Sequence, residues 1–119
     1  SDQNEKQDIA QLTATEMKVG KRISALFKTF RWKSKVTEKG EAARTHAGII
    51  AQDVQAAFFA EGLDPSRYGL WCRDTWTDDD GSEQTRTGIR YPELLSFLSG
   101  YNEQRLTDIE ARITALEGA

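Results

Sequence analysis

Cysteine is almost missing from this chain. Cys72 stands alone among 119 residues, which excludes an internal disulfide and any zinc cage built on cysteines. Long apolar runs are missing too. Nothing approaches the ~20 consecutive apolar residues of a membrane span, and no signal-peptide pattern is present. Positive charge is not in excess: 16 Lys and Arg face 19 Asp and Glu, a net charge of −3 that argues against a general nucleic-acid binder. There is no internal repeat, no low-complexity tract and no initiator methionine. The missing methionine fits a cloning boundary or a product released from something longer. With 38% apolar and 29% charged residues, the composition is that of one soluble globular domain, residues 1–119, with a modest core. No cofactor and no metal is expected.

The stretch around which the rest is organised is His46-Ala-Gly-Ile-Ile-Ala-Gln-Asp-Val54. Ile49, Ile50 and Val54 place an apolar stripe at the start of a helix that Ala57, Phe58 and Phe59 extend. The spacing predicts that helix from about Gly48 to Glu61, stopping at Gly62. His46 is the only histidine, and Gln52 and Asp53 are polar groups inside an otherwise core-forming segment. Taken by spacing alone, this is a core helix with a wet side.

Upstream, residues 8–27 read as a helix, broken near Gly20 and restarting around Thr15, which reads as an N-cap with Glu16 as an acid in the first turn. Thr29 to Lys33 alternates polar and aromatic, as a half-buried strand does. Residues 34–45 carry no apolar stripe and read as an exposed loop, either a tolerated insertion or a functional arm. Downstream, Leu70 to Trp76 and Glu83 to Tyr91 read as the two strands of a hairpin around Asp78-Asp-Asp-Gly81. The acidic triplet does not complete the 12-residue calcium-loop pattern, so a hairpin tip is the better reading. Trp71 and Trp76, five apart, fall on opposite faces of a regular strand, one of them exposed.

A final helix is expected over about 92–117, opened by Pro92 and interrupted only by Gly100. Leu106, Ile109, Ile113 and Leu116 are spaced 3, 4 and 3, alternating a and d positions of about two heptads. That seam is too short to stand as a coiled coil by itself and can equally pack on its own domain. The fold class is α+β: a mainly helical small domain with a β-hairpin, short strands and a long C-terminal helix.

Four segments together carry a resemblance. Gly48-Ile-Ile-Ala-Gln-Asp-Val54 resembles the G-(I/L)-I-A-Q-(D/E)-V signature of the chaperone of endosialidase family, self-cleaving C-terminal domains of phage tailspikes and tail fibres. Phe30-Arg-Trp-Lys33 resembles the end of its V-x-F-x-W-K strand. Gly88-Ile-Arg-Tyr91, followed by Leu94 and Leu95, resembles its approach to the last helix. Ser1-Asp-Gln-Asn-Glu-Lys6 resembles its Ser-Asp-x-x-x-Lys motif, which departs here only in having Asn4 where an arginine is common.

The resemblance implies a homotrimeric intramolecular chaperone that holds the upstream fibre or spike part of its own precursor in register. It then cuts the chain immediately before Ser1. A siphophage L-shaped tail fibre is one parent of this kind. A serine hydroxyl needs a base, and a lysine of lowered pKa can serve. Ser1 and Lys6 are therefore the expected dyad, with Asp2, His46 and Gln52 in support. The trimer interface is expected through Leu106, Ile109, Ile113 and Leu116, in a single-turnover peptidase that works in the host cytoplasm during virion assembly and is absent from the mature virion. No nucleic-acid or membrane partner is expected.

Three other functions compete with this reading. A serine hydrolase acting in trans lacks a G-x-S-x-G elbow. A non-catalytic α+β interaction module would leave the Ser1/Lys6 match as coincidence. The third alternative is the same self-cleaving domain in a membrane-anchored transcription factor precursor.

Overall fold

A computed structural model describes all residues, 1–119, as α1 (Ala14–Ser24), β1 (Lys28–Phe30), α2 (Lys33–Lys39), β2 (His46–Gly48), α3 (Ala51–Ala60), β3 (Trp71–Thr77), β4 (Glu83–Ile89) and α4 (Tyr91–Glu117). Three 3-10 turns lie at Gln3–Glu5, Gly40–Ala42 and Pro65–Arg67. The strands form two separate antiparallel pairs, β1 with β2 and β3 with β4. This is the α+β domain expected, with a long C-terminal helix.

The first helix is shorter than the 8–27 reading. It starts after Thr13, whose hydroxyl accepts the Glu16 N–H while the Glu16 carboxylate accepts the Thr13 N–H. That reciprocal pair satisfies two otherwise orphaned donors and outcompetes a cap at Thr15, so residues 8–13 stay outside the helix. Gly20 does not break the helix. A Cβ there would meet the Tyr101 ring at 2.7 Å, so glycine is what lets α1 approach α4 closely. Val19 and Ile23 are fully buried, whereas Ile9 and Phe27 remain exposed.

The signature stretch is also divided differently. His46 to Gly48 is strand, paired with β1 so that Phe30 faces His46 and Lys28 faces Gly48. The helix begins only at Ala51 and buries Ala51, Val54, Ala57 and Phe58, leaving Ile50 and Phe59 outside. It ends as expected. Gly62 has φ +74, and the Gly62 and Leu63 N–H groups donate back to the Phe59 and Phe58 carbonyls, the hydrogen bonding of a Schellman cap.

Residues 34–45 are a helix and a turn rather than an irregular loop. α2 buries none of its residues, so it leaves no apolar period to read. The strand read over 29–33 gives way to it at Trp32, which precedes the first turn. The hairpin forms in the register Trp71–Ile89 through Thr77–Glu83. At its tip the Asp80 carboxylate accepts the N–H and hydroxyl of Ser82, and Gly81 takes φ +84. Trp71 is core, its indole N–H donating to the Ala51 carbonyl at 3.2 Å, while Trp76 is exposed. The core thus gathers at Val54, Phe58, Val19, Ile23, Leu94 and Leu98, where α1, α3 and the first half of α4 meet.

Candidate functional site

The residues singled out from the sequence lie in three places. Ser1 to Lys6 are exposed, with a 3-10 turn at Gln3–Glu5 capped by Asp2 and Lys6 and with Ser1 just ahead of it. The Asp2 carboxylate accepts the Asn4 N–H at 2.9 Å, and the N–H groups of Glu5 and Lys6 donate to the carbonyls of Asp2 and Gln3. Asp2 is therefore the cap of the motif, a task suited to a short carboxylate. Asp8, at φ +56, turns the chain in a conformation that aspartate tolerates better than most residues. The segment then meets α4, where the Gln104 amide donates to the Leu12 carbonyl at 3.3 Å and the Leu12 side chain lies over Gly100. No hydrogen bond or ion pair joins Ser1 to Lys6, or either of them to His46 or Gln52.

His46 and Gln52 share a different place, an open groove of about 790 Å³ between the β1–β2 pair and strand β4, with the start of α3 at its base and Tyr91 at its end. His46 stacks on Phe30 with ring centroids 5.8 Å apart, and Trp32 meets the same phenylalanine edge-on at 5.1 Å. The Gln52 amide donates to the Thr87 hydroxyl at 2.9 Å, and Asp53 pairs with the Lys28 ammonium at 3.2 Å. The polar residues of the signature thus tie α3 to the hairpin on one side and to β1 on the other. Tyr91, unmarked by sequence reasoning as a site residue, closes the frame. Its hydroxyl accepts the Ile49 N–H at 3.1 Å and sits where a Cβ on Gly48 would clash. Forty-two positions separate Tyr91 from Ile49, and nothing local in the sequence signals that pair.

A second frame bond holds the α1 end. The Tyr68 hydroxyl donates to Glu16 at 2.7 Å, and burial followed by this bond pushes the tyrosine up to about 12. Burial acts on Glu16 in the opposite sense to its hydrogen bonds. The bonds from Thr13 and Tyr68 together outweigh it and hold the carboxyl below its ordinary value.

The third place is the second half of α4. Leu106, Ile109, Ile113 and Leu116 are 40–76% exposed, so the seam does not pack on its own domain. It projects from the body of a molecule whose extents are 67 × 39 × 30 Å.

Compared with known proteins, residues 1–63 match the profile of the family described as chaperone of endosialidase. The tail spike protein of Escherichia virus K5 is 35% identical over 102 residues, covering 76% of this chain and 16% of that protein. The probable tail spike protein of Klebsiella phage 0507-KN2-1 is 37% identical over 94 residues, covering 78% and 8% respectively. The chain therefore spans only a small part of the relatives it matches. Among solved structures, one described as a novel intramolecular chaperon superposes with a TM-score of 0.80 at 29% identity, over 91% of this chain and 99% of that one. The carboxy-terminal domain of the bacteriophage T5 L-shaped tail fibre, solved with its intramolecular chaperone domain, gives 0.79 at 25% identity, over 96% and 31%.

Proposed function

Because the chain belongs to the chaperone of endosialidase family, we propose that it is the trimerising, self-releasing chaperone domain of a phage tail spike or tail fibre. The observation that carries this reading is the unpartnered seam of α4. Four large apolar side chains at heptad spacing, all exposed, suit burial against two further copies of the same helix. A fibre or spike trimer has interchain contacts of high loop-closure cost, which makes its folding slow and prone to misalignment. Three chains joined at a compact end meet at fixed offset and at an effective concentration set by the linker, on the order of millimolar for a short flexible one.

Release follows from chemistry at the first turn. The Ser1 hydroxyl gives its proton to the Lys6 amine and attacks the carbonyl carbon of the preceding residue. The amide bond breaks as the Ser1 nitrogen leaves with a proton, and the upstream chain is held on Ser1 Oγ as an ester. Water opens that ester, leaving an upstream carboxylate and the free hydroxyl. Asp2 supports the step by capping the turn that carries both groups. His46 and Gln52 support it from a distance by holding the β2–α3 frame. The exposed α2 arm and Trp76 contact the upstream fibre. Cleavage takes place in the host cytoplasm, after folding, and the fragment then leaves because its remaining contacts must survive dilution.

The test is a precursor carrying Ser1→Ala or Lys6→Ala, followed on a denaturing gel and by detergent resistance. Ser1→Ala should give a folded trimer that keeps its chaperone attached. Cleavage at the normal rate in Lys6→Ala would overturn the dyad. Aggregated or monomeric Ser1→Ala chains would overturn the order of folding before cutting.

A further inference from the structure

Strand β4 leaves one edge open, and that edge borders the groove holding His46 and Gln52. At the two ends of the hairpin the Arg90 N–H donates to the Leu70 carbonyl and the Asp78 N–H to the Ser82 carbonyl. Bonded and unbonded pairs alternate along an antiparallel ladder, so between those ends Cys72–Gly88, Asp74–Arg86 and Trp76–Gln84 are the bonded pairs. The main-chain groups of Thr85, Thr87 and Ile89 therefore point away from β3, and no third strand takes them up. Four consecutive residues, Arg86 to Ile89, line the groove. Successive side chains of a strand point to opposite faces, so a hollow reached by all four runs along the edge itself. Such edges invite pairing and are ordinarily covered, bulged or broken by proline. β4 has neither a bulge nor a proline.

The facing wall is apolar. Phe30, Trp32 and His46 stand ring against ring, and Ile50 lies exposed at the base. The charges at the groove have one sign. Arg31 and Arg86 border it, no carboxylate does, and neither arginine forms an ion pair. Arg86 rests over the Trp76 ring, 5.4 Å from its centroid. In a chain of net charge −3, a hollow with two free cations and no acid runs against the background.

Resting on the reading as a spike or fibre chaperone, we propose that this groove binds an extended apolar strand of the upstream chain that carries an acidic residue. The strand adds to β4. Its backbone pairs with Thr85, Thr87 and Ile89, alternate side chains lie on the Phe30–Trp32–His46 wall, and its carboxylate falls between Arg31 and Arg86. A row of alternating donors and acceptors matches a peptide backbone better than any small molecule. A second β4 is excluded by symmetry, since edge-to-edge pairing of identical strands is twofold and the proposed assembly is threefold. The two tail spike relatives have no more than 16% of their length in the matched segment, so far more chain lies outside such a domain than within it. An extended segment that has not yet met its partners is the species that aggregates. Held on β4, it stays single until those partners displace it.

The probes are two blocked, dye-labelled peptides, Val-Thr-Val-Glu-Val-Thr-Val and the same sequence with lysine at its centre. Binding to the isolated domain is read by fluorescence anisotropy and by amide exchange in NMR spectra. The glutamate peptide should bind at least about threefold tighter than the lysine peptide, and R31E/R86E, both at exposed positions, should reverse that order. It should protect the amides of Thr85, Thr87 and Ile89, and not those of Arg73 and Thr75 on the far edge. Thr87→Pro should weaken binding at least about fivefold, whereas Thr87→Val, which keeps the N–H, should stay within about twofold. Circular dichroism checks the fold of each variant. The glutamate peptide N-methylated at alternate residues repeats the test without touching the protein, and should not bind. In a precursor, R31E/R86E should lower the share of chains reaching a detergent-resistant trimer about twofold or more. Equal binding of the two peptides, protection of the β3 edge instead, or a full yield from the R31E/R86E precursor would overturn the proposal and leave the chaperone reading standing. An isolated domain that stays monomeric at high micromolar concentration would overturn that reading instead.

Discussion

Along α4, the first half places Leu94, Leu98 and Tyr101 in the core, and the second half leaves Leu106, Ile109, Ile113 and Leu116 exposed. Both halves are helical and both carry an apolar stripe, so neither propensity nor composition separates them. What separates them is the supply of partners. α1 and α3 cover the helix as far as Tyr101, and the chain has no further element to lay on the rest. In the proposed trimer, this exposed apolar face is the surface that the other chains would cover.

The comparison can be broken in three ways. The largest effect is expected where three chains change at once. Ile109→Asp would bring three unpaired carboxylates to the axis of a trimer, at a cost of several kcal/mol in all. Because Ile109 lies outside the buried core, at 40% exposure, the monomer should keep its helical signal and its melting temperature within a few degrees. Light scattering and thermal circular dichroism together check this.

Phe58→Ala should do the opposite. Its ring is fully buried between Tyr68 and Phe97, and its loss should cost the domain about 3–5 kcal/mol. Denaturant titration would reveal a fold too weak to present the seam at all.

The smallest effect belongs to the α1 corner. Thr13→Ala removes one half of the capping box and should cost about 1 kcal/mol by urea titration at neutral pH. The same corner gives a pH dependence. Glu16 is held below its ordinary 4.5 in the folded chain, so its contribution is present above that value and fades as pH falls through the lowered one. Tyr68 is raised to about 12, so its contribution is whole below 10 and fades as pH rises toward 12. In Tyr68→Phe, both flanks of the stability–pH curve should flatten.

Sequence reasoning recovered the elements whose signals are local. The hairpin, the glycine stop of α3 and the proline start of α4 each rest on one or two residues with a fixed conformational preference. It failed where the deciding partner was distant or the partner was water. α2 buries nothing, so it had no stripe to show. His46 to Gly48 became strand because β1 pairs with it, although the apolar spacing that follows is helical. Gly20 suggested a break until Tyr101, 81 residues away, supplied a reason for it. The Ser1/Lys6 motif was legible only through resemblance. Two exposed polar residues five positions apart have no physical signature of their own, whereas the heptad spacing of the seam is physical and was readable directly.

That α4 passes from core to seam as one unbroken helix has a consequence for phase. Through Tyr101 and Gly20 the helix is locked against α1, and no joint separates that lock from Leu106. The azimuth at which the seam emerges is therefore geared to the body of the domain. One residue inserted between Tyr101 and Leu106 would turn the seam by roughly 100° about the helix axis and advance it about 1.5 Å. Three such helices could still join, but each body would face the wrong way around the threefold. Seven inserted residues would bring the phase back to within about 20° of its start. In the proposed trimer the helix would thus act as a gear as well as a clasp, setting which way three first turns, and the chains ahead of them, point when the seam closes.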